Sequence, residues 1–178
     1  MPPGAPDVQA LVESAARQPW LPAAERQRGP GLDRRAIEDL IPHRDPFLFL
    51  DRITRVDPGS GLIVCRYDLH ATEPVLAGHF PQHPVWPGVL QVEAIGQAGL
   101  CLLQLTGGSP SPSNPHGIAL THILAARFIR PVLPGAPVEI VTRGLADGLF
   151  TVLVGQCLQH DAVCSVAAVQ GIHQEAGE

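Results

Sequence analysis

The sequence predicts an α+β fold in which one long, largely buried helix packs on a curved antiparallel sheet of about six strands. Two features carry this prediction. Residues 89–105 form a proline-free apolar run, and six shorter segments rich in Val, Ile, Leu and Phe are separated by Gly, Pro and Asp. With 178 residues, 45% hydrophobic and 16% charged, the chain is long enough to form one globular domain with a sizeable core.

The first 32 residues have the composition of an N-terminal extension. Residues 7–17 predict a short helix that begins near Asp7, whereas Pro19, Pro22 and the Arg-Gly-Pro-Gly stretch at 28–31 are typical of a linker. We therefore expect residues 1–32 to be partly disordered or a short helix. The main domain, residues 33–174, should start with a second short helix at 34–40 that Asp33 caps and Pro42 ends.

The strands follow in two groups around the long helix. Gly, Pro and Asp residues bound each of them, and consecutive segments are close enough for hairpin connections. We expect a loop at 107–117, because that segment is rich in Ser and Pro. The predicted strands are 47–57, 62–69, 118–128, 138–143, 150–158 and 163–172.

The long helix should run from Val89 to Leu105. Pro87 suits its start and glycines at 107 and 108 stop it. Apolar residues occur almost all the way round, which indicates a core helix and not an amphipathic one. At seventeen residues with Glu93 inside it, the run is a poor membrane span.

Glu93 and His79 are the candidate chemical groups. A carboxylate on an apolar helix is costly unless it is paired, solvated or used in chemistry, and Glu93 could simply complement the helix N-terminus. His79 lies fourteen residues upstream on a loop rich in Gly and Pro. The presence of both residues favours acid-base chemistry over a purely structural role for either one. His79 and His83 have a zinc-like spacing, but Pro81 and Pro84 exclude a regular helix there, so we expect no metal.

Three motifs together resemble a known family. The central one is Gly78-His79-Phe80-Pro81 with Pro84, Pro87-Gly88-Val89-Leu90 and Glu93-Ala94 through Gln97. The upstream one is Ile41-Pro42-His43-Arg44 with Pro46-Phe47-Leu48 and Asp51-Arg52, and the downstream one is Ala126-Arg127-Phe128 with Arg130-Pro131-Val132 and Pro134-Gly135. In order and spacing, over about residues 36–173, they resemble the 3-hydroxyacyl-acyl carrier protein dehydratases of the FabZ type, which have the hotdog fold.

The resemblance implies that the protein removes water from a 3-hydroxyacyl thioester to give the trans-2-enoyl thioester. His79 would take the C2 proton, and Glu93 would protonate or hydrogen-bond the leaving hydroxyl, for which a pKa raised by apolar surroundings would help. The backbone N–H of Gly88 would stabilise charge on the thioester oxygen. Further expected site residues are Phe80, Trp86, Val89 and Gln97 along an acyl tunnel, and Arg127 and Arg130 at the carrier-docking surface. Trp86 could instead serve only to pack the core, and the two arginines could be ordinary solvated side chains.

The resemblance also implies partners. The substrate would arrive on the phosphopantetheine of an acyl carrier protein, so the enzyme needs no cofactor of its own. In the family, the histidine and the acid of one site come from two protomers, which implies a homodimer and allows higher assemblies of dimers. The net charge of −5 argues against nucleic-acid binding. With no secretory signal and four cysteines in apolar stretches, we expect a cytoplasmic protein with free thiols.

The chain departs from the family pattern at several positions. Asp45 stands where an aromatic residue is usual, Gln82 replaces a glycine, and residues 122–125 lack the usual Asp and Lys. These differences suggest a specialised relative, in a polyketide or other secondary pathway instead of bulk fatty acid synthesis. Two alternatives remain open at this point: a hotdog thioesterase, and a non-catalytic module for carrier binding or dimerisation. A third, the dehydratase-isomerase branch of the family, usually has Asp at the helix position, so Glu93 favours dehydration alone.

Overall fold

The computed structural model describes residues 7–29, 31–107, 118–147 and 150–173. Most of the expected loop at 107–117 and the first six residues of the extension lie outside these ranges. The elements are α1 (Val8–Ala15), α2 (Ala23–Arg26), β1 (Leu32–Asp33), α3 (Arg34–Leu40), β2 (Arg52–Asp57), β3 (Leu62–Tyr67), a 3₁₀ turn (Pro74–Ala77), α4 (Gly88–Leu105), β4 (Ile118–Phe128), β5 (Val138–Asp147), β6 (Phe150–Gln159) and β7 (Ala162–His173).

The strands form one antiparallel sheet in the order β1-β2-β3-β5-β6-β7-β4. Because β1 has only two residues, six strands make up most of the sheet, and α4 packs on one of its faces. The predicted α+β fold with a long central helix is confirmed, and this arrangement is the hotdog fold. The strand β2 is shorter than predicted, because the backbone at Phe47 and Phe49 bonds to a side chain of α4 and not to a neighbouring strand.

Local sequence signals explain where several elements begin and end. Asp7 and Asp33 cap α1 and α3 by accepting hydrogen bonds from the backbone N–H groups of Ala10 and Ala36. The β6–β7 hairpin turns at His160 and Asp161, whose φ angles of 51° and 61° are both positive, as a type I′ turn requires.

The helix α4 lies very close to the sheet at two glycines. A methyl group on Gly99 would lie 2.3 Å from Leu153, and one on Gly155 would lie 2.5 Å from Ile95. These glycines therefore let helix and sheet approach each other, which outweighs the low helix propensity of Gly99. Among the described residues, α4 alone is long and apolar enough to cross a membrane by length and composition, and half of that stretch is buried inside the protein, as in a core helix.

The N-terminal extension covers the other face of the sheet. Val12 and Ala15 of α1 are fully buried in a second apolar cluster with residues of β3, β5, β6 and β7. Gln156 of β6 fixes the chain that follows α1, because its side chain donates to the carbonyl of Ala15 and accepts from the backbone N–H of Trp20. The sheet is thus covered on both faces, by α4 and by the extension.

Candidate active site

His79 lies on the loop between the 3₁₀ turn and α4. Its Nδ1 is 2.8 Å from the carbonyl oxygen of Val85, and the backbone N–H of Val85 donates back to the carbonyl of His79. Because a carbonyl can only accept, Nδ1 carries a proton, and a neutral ring then has its lone pair on Nε2. The ring of Phe80 stacks on the imidazole at 4.2 Å. The loop thus holds the imidazole in the orientation and tautomer that a general base needs.

A cavity of about 510 Å³ joins His79 to the start of α4. Pro87 is the N-cap of α4, so Gly88 is the first residue of the helix and its N–H belongs to the first turn, which has no intrahelical acceptor. The ring of Phe128 lies over Gly88, where a methyl group would be 2.6 Å from Cε1. The cavity is mostly apolar, and its lining residues are His79, Val85, Trp86, Pro87, Gly88, Val89, Gln91, Phe128, Ile129, Arg130 and Pro131.

Glu93 is engaged by two polar neighbours. Its Oε1 accepts a hydrogen bond from Nε2 of Gln97 at 2.9 Å and lies 3.4 Å from Nε2 of His43. Burial raises the pKa of Glu93, but the hydrogen bonds from His43 and Gln97 outweigh burial and leave the pKa below its usual value. The expectation of a raised pKa is therefore wrong for the single chain. The helix sequence is mostly apolar, but the side chains that contact Glu93 are polar.

The structure brings together only part of the expected catalytic set. His79 and Gly88 line one cavity, whereas Glu93 is absent from the described residues that line it. Glu93 follows Gly88 by five positions, which corresponds to about 7.5 Å along a helix axis. One chain therefore presents the imidazole and the helix terminus in one place and the carboxylate in another.

The four expected tunnel residues have different environments. Phe80 and Val89 are exposed, at 56% and 71%; Val89 lines the cavity, whereas Phe80 is absent from its described lining. Trp86 is buried and packs on Phe49 and Tyr67 while also lining the cavity, so it is both core and wall. Gln97 is buried with its amide fully engaged by hydrogen bonds.

The two expected docking arginines lie near the end of β4. Arg127 forms an exposed ion pair with Glu13 of α1 at 3.3 Å. Arg130 lines the cavity and donates to the carbonyl of Val163. Within the described ranges, no group of three or more His, Cys, Asp or Glu side chains could hold a metal ion, and all four cysteines are buried free thiols.

His43 is the site residue that sequence reasoning missed. It lies just after α3, fifty positions upstream of its carboxylate partner on α4. The signal in the sequence was its place in the upstream motif, to which the residue chemistry assigned no role. Periodicity could not reveal this contact, because the two groups meet only through tertiary packing.

Comparisons with known proteins agree with this fold. A family model for the FabA-like domain matches residues 41–153. The chain is 40% identical over 118 residues to a 3-hydroxyacyl-(acyl-carrier-protein) dehydratase FabZ of Anaeromyxobacter sp. (strain Fw109-5), covering 66% of this chain and 74% of the relative. It is 36% identical over 147 residues to the protein of the same name from Symbiobacterium thermophilum, covering 77% and 97%.

Two solved structures share the fold at low sequence identity. One is the dehydratase heterocomplex ApeI:P from Xenorhabdus doucetiae, with a TM-score of 0.61 and 17% identity over 78% of this chain and 91% of that one. The other is the uncharacterized protein PH1136 from Pyrococcus horikoshii, with a TM-score of 0.58 and 10% identity over 78% and 93%. On the strength of the domain match and the FabZ relatives, this chain belongs to the FabA-like family, among the FabZ-type dehydratases.

Proposed function

We propose that this protein removes water from a 3-hydroxyacyl thioester on an acyl carrier protein and forms the trans-2-enoyl thioester. The observation that carries the proposal is the cavity in which His79 faces the start of α4 with Nδ1 engaged by the carbonyl of Val85. A base with a free lone pair beside a helix N-terminus suits removal of a proton next to a thioester carbonyl. The FabZ relatives support the same reaction.

In the proposed mechanism, Nε2 of His79 takes the proton from C2 of the bound chain. Negative charge then gathers on the thioester oxygen, where the N–H of Gly88 and the positive end of α4 stabilise it. The C3–O bond breaks, and the leaving hydroxyl takes a proton from Glu93, directly or through water, to form water. The products are the enoyl thioester, one water, an imidazolium and a carboxylate, and proton exchange with solvent restores the starting state.

The proposed active unit is a homodimer that forms along β4. This strand is the edge of the sheet, paired on one side with β7, and no strand of the described residues pairs with it on the other side. Exposed edges with apolar side chains are surfaces that bind other chains. Five large apolar residues at this edge are exposed: Leu120, Ile123, Leu124, Phe128 and Ile129.

A second chain on this edge would supply what the cavity lacks. The cavity includes Phe128 and Ile129 at the end of β4, so the proposed partner would lie directly against it. Glu93 of one chain would then face His79 of the other. Burial by the partner would also oppose the lowering of the pKa of Glu93, which is 27% exposed in one chain, and so increase its protonated fraction.

The substrate would reach the cavity on the phosphopantetheine of the carrier, and the enzyme would need no cofactor of its own. Arg130 lines the cavity, and the exposed pair of Arg127 with Glu13 is of a kind that contributes little and exchanges easily. We assign both arginines to contact with the phosphate or the acidic carrier surface. We place the enzyme in the cytoplasm, in fatty acid or polyketide-type biosynthesis.

Incubation with carrier-linked 3-hydroxyacyl thioesters of different chain lengths tests the proposal. Intact-protein mass spectrometry of the carrier should show the loss of one water, and His79→Ala should abolish it. Release of the free acid would instead indicate a thioesterase. Carrier binding without any change in mass, in wild type and His79→Ala alike, would indicate a non-catalytic module.

A further inference from the structure

The loop that follows α3 meets the carboxylate of Glu93 on one side. This loop, residues 41–49, contains the upstream motif with Pro42, His43 and Arg44. It contacts Glu93 directly through His43 and indirectly through Gln97. The loop therefore has the placement to control how the carboxylate is oriented.

Arg44 fixes the loop backbone around His43. Its Nη1 donates to the carbonyls of Ile41 and His43 at 2.8 and 2.7 Å, and its Nη2 donates to the carbonyl of Glu38 at 2.9 Å. Three carbonyls at the end of α3 thus share one guanidinium, and Ile41 is buried beneath them. The backbone that carries the His43 ring is held on both sides.

The ring of His43 presents its Nε2 to Glu93. Nε2 lies 3.4 Å from Oε1 of the carboxylate, while Nδ1 is buried and has no hydrogen-bond partner within the described part of the chain. A buried N–H without an acceptor is unfavourable, so the tautomer with its proton on Nε2 fits this environment best. Hydrogen bonding to the carboxylate favours its charged form.

Gln97 completes the arrangement from the other side. Its Oε1 accepts from the backbone N–H of Phe49, so its amide orientation is fixed, and its Nε2 donates to the carbonyl of Phe47 and to Glu93. Both donors meet the same oxygen of Glu93, Oε1. No partner for Oε2 occurs among the residues that the structure describes.

We propose that His43 is a positioning residue, which together with Gln97 anchors Oε1 of Glu93 and leaves Oε2 to meet the hydroxyl of the bound chain. The inference rests on the proposed function, in which Glu93 gives its proton to that hydroxyl. As the proton leaves Oε2, the N–H groups of His43 and Gln97 stabilise the carboxylate that forms. The anchored carboxyl group thus loses less orientational entropy on reaching the transition state, and it donates its proton to the leaving hydroxyl more readily.

Two substitutions at His43 separate this role from a structural one. An asparagine amide reaches only to the position of Nδ1, whereas a glutamine amide reaches to that of Nε2. We expect His43→Asn to lower kcat by about 10- to 100-fold, the usual effect of losing a hydrogen bond to a charged group, with KM nearly unchanged. His43→Gln should recover most of the loss. His70→Asn, at an exposed histidine, is the matched control.

A titration of Glu93 gives a readout that does not depend on turnover. Carbon-13 NMR of labelled glutamate carboxyls should show that the pKa of Glu93 is higher in His43→Asn than in wild type and is unchanged in His43→Gln. His43→Leu replaces His43→Asn if that variant does not fold. A folded His43→Asn protein with wild-type kcat and an unchanged Glu93 titration would overturn the proposal. If wild type shows no dehydration, the proposed function fails, and the titration alone decides whether His43 anchors Glu93.

Discussion

Two inactive variants of this protein should restore activity to each other when their chains combine. The variants are His79→Ala, which removes the base, and Glu93→Gln, which removes the acid. The reason is the separation of the groups in one chain: His79 lines the cavity at the start of α4, and Glu93 lies outside that lining, against His43. If each site takes its histidine from one chain and its acid from the other, the two defects can be placed in a single site.

The expected magnitude follows from counting sites. Each homodimer has both sites damaged and should lose about 10²- to 10⁴-fold in rate, the usual contribution of a general acid or base. In the heterodimer, one site contains both substitutions and the other contains neither. A pure heterodimer should therefore have about half of the wild-type activity, and random mixing, in which about half of the dimers are mixed, should give about a quarter.

Co-expression with two different affinity tags gives the assay. Tandem purification isolates the heterodimer, native mass spectrometry confirms its composition, and loss of water from a carrier-linked substrate gives the rate. Circular dichroism checks that each parent is folded. A verified heterodimer no more active than its parents would refute the shared site, and would mean that base and acid act within one chain or that one of them is not used.

Three further predictions concern the stability of the fold. The folded-state pKa of Glu93 lies below its ordinary value of 4.5, so its carboxylate stabilises the fold above that pH. This contribution is lost as the pH falls through the folded-state pKa. Glu93→Gln should therefore flatten this part of an acid-unfolding curve. Gly155→Ala would place a methyl group 2.5 Å from Ile95 and should cost about 1–3 kcal/mol in thermal unfolding. Arg26→Met would break a buried ion pair with Glu139 and should cost about 3 kcal/mol, with faster hydrogen exchange in α1 and α2.

Matched controls exist for the two packing predictions. Gly59→Ala adds a methyl group that meets only Asp57, at 3.5 Å, so it should leave the melting temperature nearly unchanged. Arg28→Met removes an exposed arginine from the same segment as Arg26. Equal effects of Arg26→Met and Arg28→Met would show that the buried network does not hold the extension. A Gly155→Ala protein as stable as wild type would show that the helix can move away from the sheet without cost.

Much of the fold could be predicted because it depends on local signals. Proline and glycine positions bound α3 and α4, and β4 runs over the predicted residues. The main error concerned residues 47–51, whose apolar side chains resemble a strand. Their backbone is instead held by Gln97, a long-range contact that no pattern within the segment reveals.

The site was less predictable than the fold, for a physical reason. The motifs identified the loop histidine and the helix acid, because these residue types stand out against their neighbours. They did not reveal the environment that sets proton affinity. The pKa of Glu93 depends on a balance between burial and two hydrogen bonds, and one of these comes from His43, whose approach depends on the turn after α3.

The role of the N-terminal extension follows from the sheet that it covers. Strands buried on one face alternate apolar and polar residues, whereas strands covered on both faces have continuous apolar runs. Three strands have such runs: 62–65, 152–154 and 166–169. The helix α4 covers only one face, so these runs require a second cover. Residues 8–21 supply it, with Val12 and Ala15 against the outer face and the buried Arg26 securing the chain that follows. The composition of the extension differs from that of the domain, but its apolar side chains and the outer face of the sheet together form the second apolar cluster.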